Sequence, residues 1–165
     1  MKKVVELTNV EQVVVKWLAD QRYKSARAGG VTDAKMGPQS TENTDLEGLG
    51  AELAFCRLHN LYPDLTVGPR SGGVDCTIGT MKVDVKTTKY KTGKLLATLK
   101  KKDEVEVDIY ALMIGEFPKY TLVGWAWKDD LIQDENIGDL GYGKGYILEQ
   151  KQLNTTELTK RRMTV

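Results

Sequence analysis

Apolar and polar residues alternate on both sides of a Gly79-Thr80 pair between Val74 and Thr88. Such period-two alternation marks strands, and Gly followed by one further residue suits a two-residue type II′ turn. The turn sets the expected register: Ile78 opposite Met81, Thr77 opposite Lys82, Cys76 opposite Val83 and Asp75 opposite Asp84. Val74, Cys76, Ile78, Met81, Val83 and Val85 then share one face. Asp75, Thr77, Lys82, Asp84, Lys86 and Thr88 share the other, because successive side chains point to opposite sides of a strand.

Two helices are expected before this hairpin. Thr8-Asn9-Val10-Glu11 fits a capping box, and Val10, Val13, Val14, Trp17 and Leu18 recur at helical spacing up to a Gly29-Gly30 stop. Val31–Asn43 reads as a loop. Thr44-Asp45-Leu46-Glu47 fits a second capping box, opening a helix to about Asn60 whose stripe is Leu46, Leu49, Gly50, Leu53 and Cys56. Glu47 falls at N3, where capping accounts for it, projecting away from the stripe. Glu52 sits on the flank of the stripe, where a carboxylate wants a partner. His59 falls near the helix end.

After the hairpin, Val107–Ile114 reads as a central strand, Tyr120–Trp127 runs back, Lys128–Ile132 suits a short helix and Tyr146–Glu149 an edge strand. Val123, Trp125 and Trp127 are expected on one face. Asn154 or Thr155 would cap a last short helix carrying Lys160, Arg161 and Arg162. The order implies an α/β or α+β domain with a mixed central sheet flanked by the two N-terminal helices.

Length and composition narrow the function classes. A chain of 165 residues suits one domain with a real core. Its net charge of +1 advertises no nucleic-acid partner, so any attraction must come from local clustering. Six lysines lie between Lys89 and Lys102; Lys89, Lys91 and Lys94, with Arg70 ahead of the hairpin, suit phosphate contacts, and a solvated loop is the competing reading. Cys56 and Cys76 show no CxxC or Cys/His spacing, which leaves a structural zinc site without support and suggests reduced thiols in a cytoplasmic protein. No stretch resembles a signal peptide or reaches the roughly 20 apolar residues of a membrane helix, so no membrane partner is expected.

The candidate chemistry lies on the polar face of the hairpin. Directly opposed acids repel, so Asp75 and Asp84 call for compensation by Lys82 or Lys86 or by a divalent cation. Mg²⁺ takes carboxylate oxygens and keeps several waters, and Lys86 points to the same side as Asp84. Two acids and a lysine around one metal can position and activate a water against a phosphodiester.

Taken together, Gly48-Leu49-Gly50-Ala51-Glu52, then Asp75, then Asp84-Val85-Lys86 resemble the pattern of the PD-(D/E)XK nuclease superfamily. The likeness covers roughly Thr44–Tyr90. It implies a restriction-endonuclease-like fold, Mg²⁺ or Mn²⁺ held by Asp75, Asp84, the Val85 carbonyl and Glu52, and Lys86 acting on the attacking water. No proline precedes Asp75, and the link between the acids is short for the superfamily. Lys86 stands where a Gln-x-x-x-Tyr motif ending at Tyr90 would need glutamine, against the helicase-associated exonuclease branch. Arg70-Ser71-Gly72-Gly73 looks more like archaeal Holliday junction resolvases. The expected function is a Mg²⁺-dependent DNA endonuclease. The alternatives are a junction-resolving enzyme, which requires a homodimer, and a DNA-binding module that does not cleave.

Overall fold

A computed structural model of the protein describes residues 2–30, 41–68, 74–103 and 106–158. Strand β1 (Lys3–Glu6) leads into helices α1 (Asn9–Ala28) and α2 (Thr41–Leu58). The hairpin follows as β2 (Cys76–Ile78) and β3 (Met81–Thr88). Then come β4 (Leu95–Thr98), a 3-10 turn at Leu99–Lys102, β5 (Ile109–Glu116) and β6 (Lys119–Trp127). Helix α3 (Lys128–Leu131) and strands β7 (Ile137–Asp139) and β8 (Lys144–Leu148) follow.

A five-stranded mixed sheet has the order β1-β6-β5-β3-β2, with β3 and β5 parallel and the other pairs antiparallel. Its two faces are both covered. Ile109, Ala111 and Met113 of β5 pack with Val83 and Val85 against α1 and α2. Tyr110 and Leu112, the intervening residues, pack against a second, antiparallel sheet of order β4-β8-β7. The α+β reading and the central position of β5 therefore hold. β8 lies in the middle of its sheet and is no edge strand.

Thr8 caps α1 as expected: its Oγ accepts the Glu11 amide at 3.3 Å, and Glu11 Oε2 accepts the Thr8 amide at 2.7 Å. The buried side of α1 is displaced from the expected stripe, of which only Leu18 is buried. Val15, Leu18 and Ala19 face α2, while Val10, Val13 and Trp17 are exposed, Trp17 by 58%. Helix α2 starts at Thr41, inside the expected loop, so Thr44-Asp45-Leu46-Glu47 lies within the helix and not at its start. A bulge between Leu112 and Met113 pairs Leu112 with Gly124 and Met113 with Leu122. Val123 is thereby turned to the second sheet, away from Trp125 and Trp127. Asn154 bridges to Trp125 and starts no helix, and Lys160–Arg162 lie outside the described residues. Among the described residues no helix is long and apolar enough to cross a membrane.

Candidate active site

The hairpin forms in the expected register as far as it extends: Ile78 faces Met81, Thr77 faces Lys82 and Cys76 faces Val83. Gly79 has φ 65°, and Thr80 is not left-handed, as a type II′ turn requires. The ladder then changes. The Asp75 amide donates to the Val83 carbonyl at 2.8 Å, although Val83 already faces Cys76. Asp75 is thus an extra residue at the end of the ladder and does not stand opposite Asp84, which corrects the expected pairing. Its carboxylate turns into the sheet edge instead, where Oδ2 accepts the Val85 amide at 2.7 Å.

Asp84 lies one strand further in. Its parallel partner is Tyr110 and that of Lys86 is Leu112, so both acid and lysine point to the face under the second sheet. Asp84 is 1% exposed, and among the described residues it is the one charged or polar residue in the buried class. Lys86 Nζ sits 2.6 Å from its Oδ1; Lys101 Nζ sits 3.2 Å from its Oδ2, an ion pair that lacks hydrogen-bond alignment. Lys101 comes from the 3-10 turn, whose other lysines, Lys100 and Lys102, face solvent.

Glu52 occupies the opposite layer. Its neighbours on α2 pack with Val83 and Val85 on the helical face. Glu52 and Asp75 line one small pocket together with Asp64, Cys56 and Leu18. Arg22 of α1 closes this side, with Nη1 3.7 Å from Glu52 Oε2, Nη2 donating to the Asp64 carbonyl at 2.7 Å and Nε donating to the Thr66 carbonyl at 2.9 Å.

Asp75 joins the two groups electrically. Burial, then the charges of Glu52 and Asp84, hold its carboxyl well above the usual carboxylate range; the Val85 amide and Lys86 oppose them. The expected set is therefore split between two faces and linked at the sheet edge: Glu52 with Asp75 on one side, Asp84 with Lys86 on the other.

Among the basic candidates, Lys89 and Lys91 are exposed, Lys94 Nζ lies 3.4 Å from Glu149 Oε1, and Arg70 lies outside the described residues. Glu47 has a different task from the one expected. Its Oε2 accepts the Phe117 amide at 3.0 Å and the Tyr120 hydroxyl at 2.9 Å, tying α2 to the β5–β6 turn. His59 follows the end of α2, its ring 4.4 Å from that of Phe55, and burial and then Lys3 push its pKa down. Cys56 and Cys76 are free and buried, and the Cys76 thiol is pushed up by its hydrogen bond to Cys56 and then by burial.

Three contributors take roles that their sequence context does not single out; Arg22, one of several α1 cations suited to solvent or phosphate, turns instead to Glu52. Arg22 and Lys101 come from distant segments whose lysines and arginines look alike in sequence, and Tyr120 was hidden in an apolar run. The run Lys100-Lys101-Lys102 was visible as a basic cluster, but only the 3-10 turn decides which lysine faces inward.

The donors suit a hard divalent cation in kind, since all three acids offer oxygen and their mutual repulsion is what a cation relieves. As described, however, Asp84 is bracketed by two ammonium groups, and no three His, Cys, Asp or Glu side chains gather closely enough to hold a metal ion among the described residues. No family model, curated protein or solved structure matches the chain.

Proposed function

We propose that the protein is a metal-dependent nuclease that hydrolyses phosphodiester bonds in DNA, working in the cytoplasm on a restriction-endonuclease-like variant of this α+β fold. The observation that carries the reading is the buried Asp84 with Lys86 on its Oδ1, beside an Asp75 whose carboxyl is held above its usual range by burial and then by Glu52 and Asp84. Burying a carboxylate under a sheet is costly unless it is compensated, and such groups cluster at functional sites. The resemblance assigns Mg²⁺ or Mn²⁺ to Asp75, Asp84, Glu52 and the Val85 carbonyl. With Glu52 and Asp84 on different faces, a cation would have to sit at the sheet edge beside Asp75 and draw the other acids towards it. There it would supply positive charge to activate water and to neutralise the phosphate. Lys86 is a third exposed and two residues from Asp84, placed to turn from the carboxylate towards a water or a phosphate oxygen. Lys89 and Lys91 lie exposed just beyond β3 and offer contacts to the nucleic-acid backbone.

The test is a cleavage assay with Mg²⁺ or Mn²⁺ across duplex, single-stranded, flap and four-way-junction DNA, with RNA alongside and D84N as the control. Metal-dependent cleavage that D84N loses is expected. Cleavage of junctions alone, by a dimer, selects the junction-resolving form. Absence of cleavage on every substrate overturns the nuclease reading, and DNA binding without cleavage leaves the non-cleaving module.

A further inference from the structure

Two lysines reach the Asp84 carboxylate, one on each oxygen, and they differ in setting. Lys86, on Oδ1, leaves a third of its side chain exposed; Lys101 leaves 13% and meets Oδ2 through charge rather than an aligned hydrogen bond. Lys86 belongs to the same strand as Asp84. Lys101 arrives from the 3-10 turn after β4, between two lysines that stay in solvent. Burying the long side chain of Lys101 costs rotamer freedom and desolvates an ammonium, while Lys86 alone already supplies one positive charge to Asp84.

We propose that Lys101 is a positioning residue of the site: it fixes the Asp84 carboxylate through Oδ2, leaving Oδ1 and the more exposed Lys86 free to exchange partners. The inference rests on the nuclease reading. Lys86 can then swing from Oδ1 to water or phosphate without loosening Asp84, because the second oxygen keeps its own ammonium. Outer partners that orient a ligating or reacting carboxylate typically carry about 10–100-fold in activity or metal affinity. Arginine can keep the charge and reach Oδ2, so K101R should retain much of what K101M loses.

The experiment has a metal-free arm and a cleavage arm. In EDTA, melting temperatures are measured for wild type, K101M, D84N, the double variant and K100M, which removes an equal charge from the solvent side of the same turn. K101M is expected to melt lower than wild type by several degrees, to melt no lower than D84N when the two are combined, and to differ from K100M. In the cleavage arm, K101M should lose about 10–100-fold in kcat with KM little changed, and K101R should recover most of it. Additive losses for K101M and D84N, or a K101M that cleaves like wild type, overturn the role of Lys101 and leave the nuclease reading intact. A wild-type protein that cleaves nothing removes the nuclease reading, and with it any part for Lys101 in a reaction, whatever the melting data show.

Discussion

Asp75 completes the edge of β3 with its side chain: Oδ2 accepts the Val85 amide at 2.7 Å, at a point where β2 no longer pairs with β3. The same carboxyl is held well above its ordinary range by burial and by Glu52 and Asp84. A carboxyl with a higher pKa folded than unfolded makes the folded state bind more protons between the two values. Stability should therefore fall as pH rises from the ordinary carboxylate range through the raised value. D75N keeps an oxygen for the Val85 amide but cannot titrate. Its melting temperature in EDTA is expected to stay flatter over that window, and wild type should gain more from Mg²⁺ at the upper end. Melting curves against pH for both proteins check this; parallel curves would separate Asp75 from the other acids.

For Asp84 the sign of the expected effect is the opposite of what two facing acids would give. Neutralising one of two opposed acids relieves repulsion and stabilises. Neutralising Asp84 instead leaves Lys86 and Lys101 without their carboxylate. Removing one partner of a buried ion pair costs about 3–5 kcal/mol, and the exposure of Lys86 places D84N towards the lower figure. Urea unfolding in EDTA measures it. A D84N protein as stable as wild type would mean that neither ammonium depends on Asp84.

The hairpin was legible because its information is local: alternation gives two faces, and Gly79-Thr80 gives the register. The helix start at Thr8 was legible for the same reason. What was lost depended on distant partners. Asp75 follows the alternation but leaves the ladder, which only its bonds to Val83 and Val85 reveal. β4 is four residues flanked by lysines, and it pairs with β8 some fifty residues later. The apolar stripe expected on α1 mostly faces solvent: of Val10, Val13, Val14, Trp17 and Leu18 only Leu18 is buried. It is joined in the core by Val15 and Ala19, because the packing of α2 and the sheet decides which side of the helix is covered. Glu47 fitted a capping box in sequence; its actual partners lie about seventy residues away.

That last contact gives a stability test separate from the chemistry. Glu47 accepts a backbone amide and a hydroxyl in a half-buried setting, and Gly50 lets the Tyr120 hydroxyl approach α2, where a Cβ would collide with it. Burial and then Glu47 push the Tyr120 hydroxyl above its usual value, so the phenol stays a donor. E47A should cost about 1.5–3 kcal/mol, as for lost hydrogen bonds to a charged group. G50A should cost about 1–3 kcal/mol through overpacking. Both should keep metal-dependent cleavage once folded. Chemical denaturation, followed by cleavage at a temperature where the variants are folded, decides; an E47A protein of normal stability but no activity would move Glu47 into the site.

If the protein acts on DNA as proposed, the lysines beyond β3 should not contribute equally to binding it. Lys91 is exposed and free to meet a phosphate, whereas Lys94 lies near Glu149, an exposed acid whose pKa is lowered by hydrogen bonds from Lys151 and Lys94. Lys89 sits over the Tyr90 ring, 5.6 Å from its centroid, a contact that still leaves the charge in solvent. Each phosphate contact releases condensed counterions, so losing one lysine lowers the slope of log K against log salt by about 0.9 on duplex DNA. K91A and K89A are each expected to reduce affinity and to flatten the salt slope by about one contact. K94A should change the slope less, because bringing Lys94 to a phosphate means drawing it from Glu149. Restoring the balance by adding E149Q should leave Lys94 freer, so E149Q alone should steepen the salt dependence. Fluorescence anisotropy with a labelled duplex over a salt series, in Ca²⁺ or EDTA to hold back cleavage, reads all four variants. Equal slopes in every variant would mean that these lysines carry no part of DNA binding.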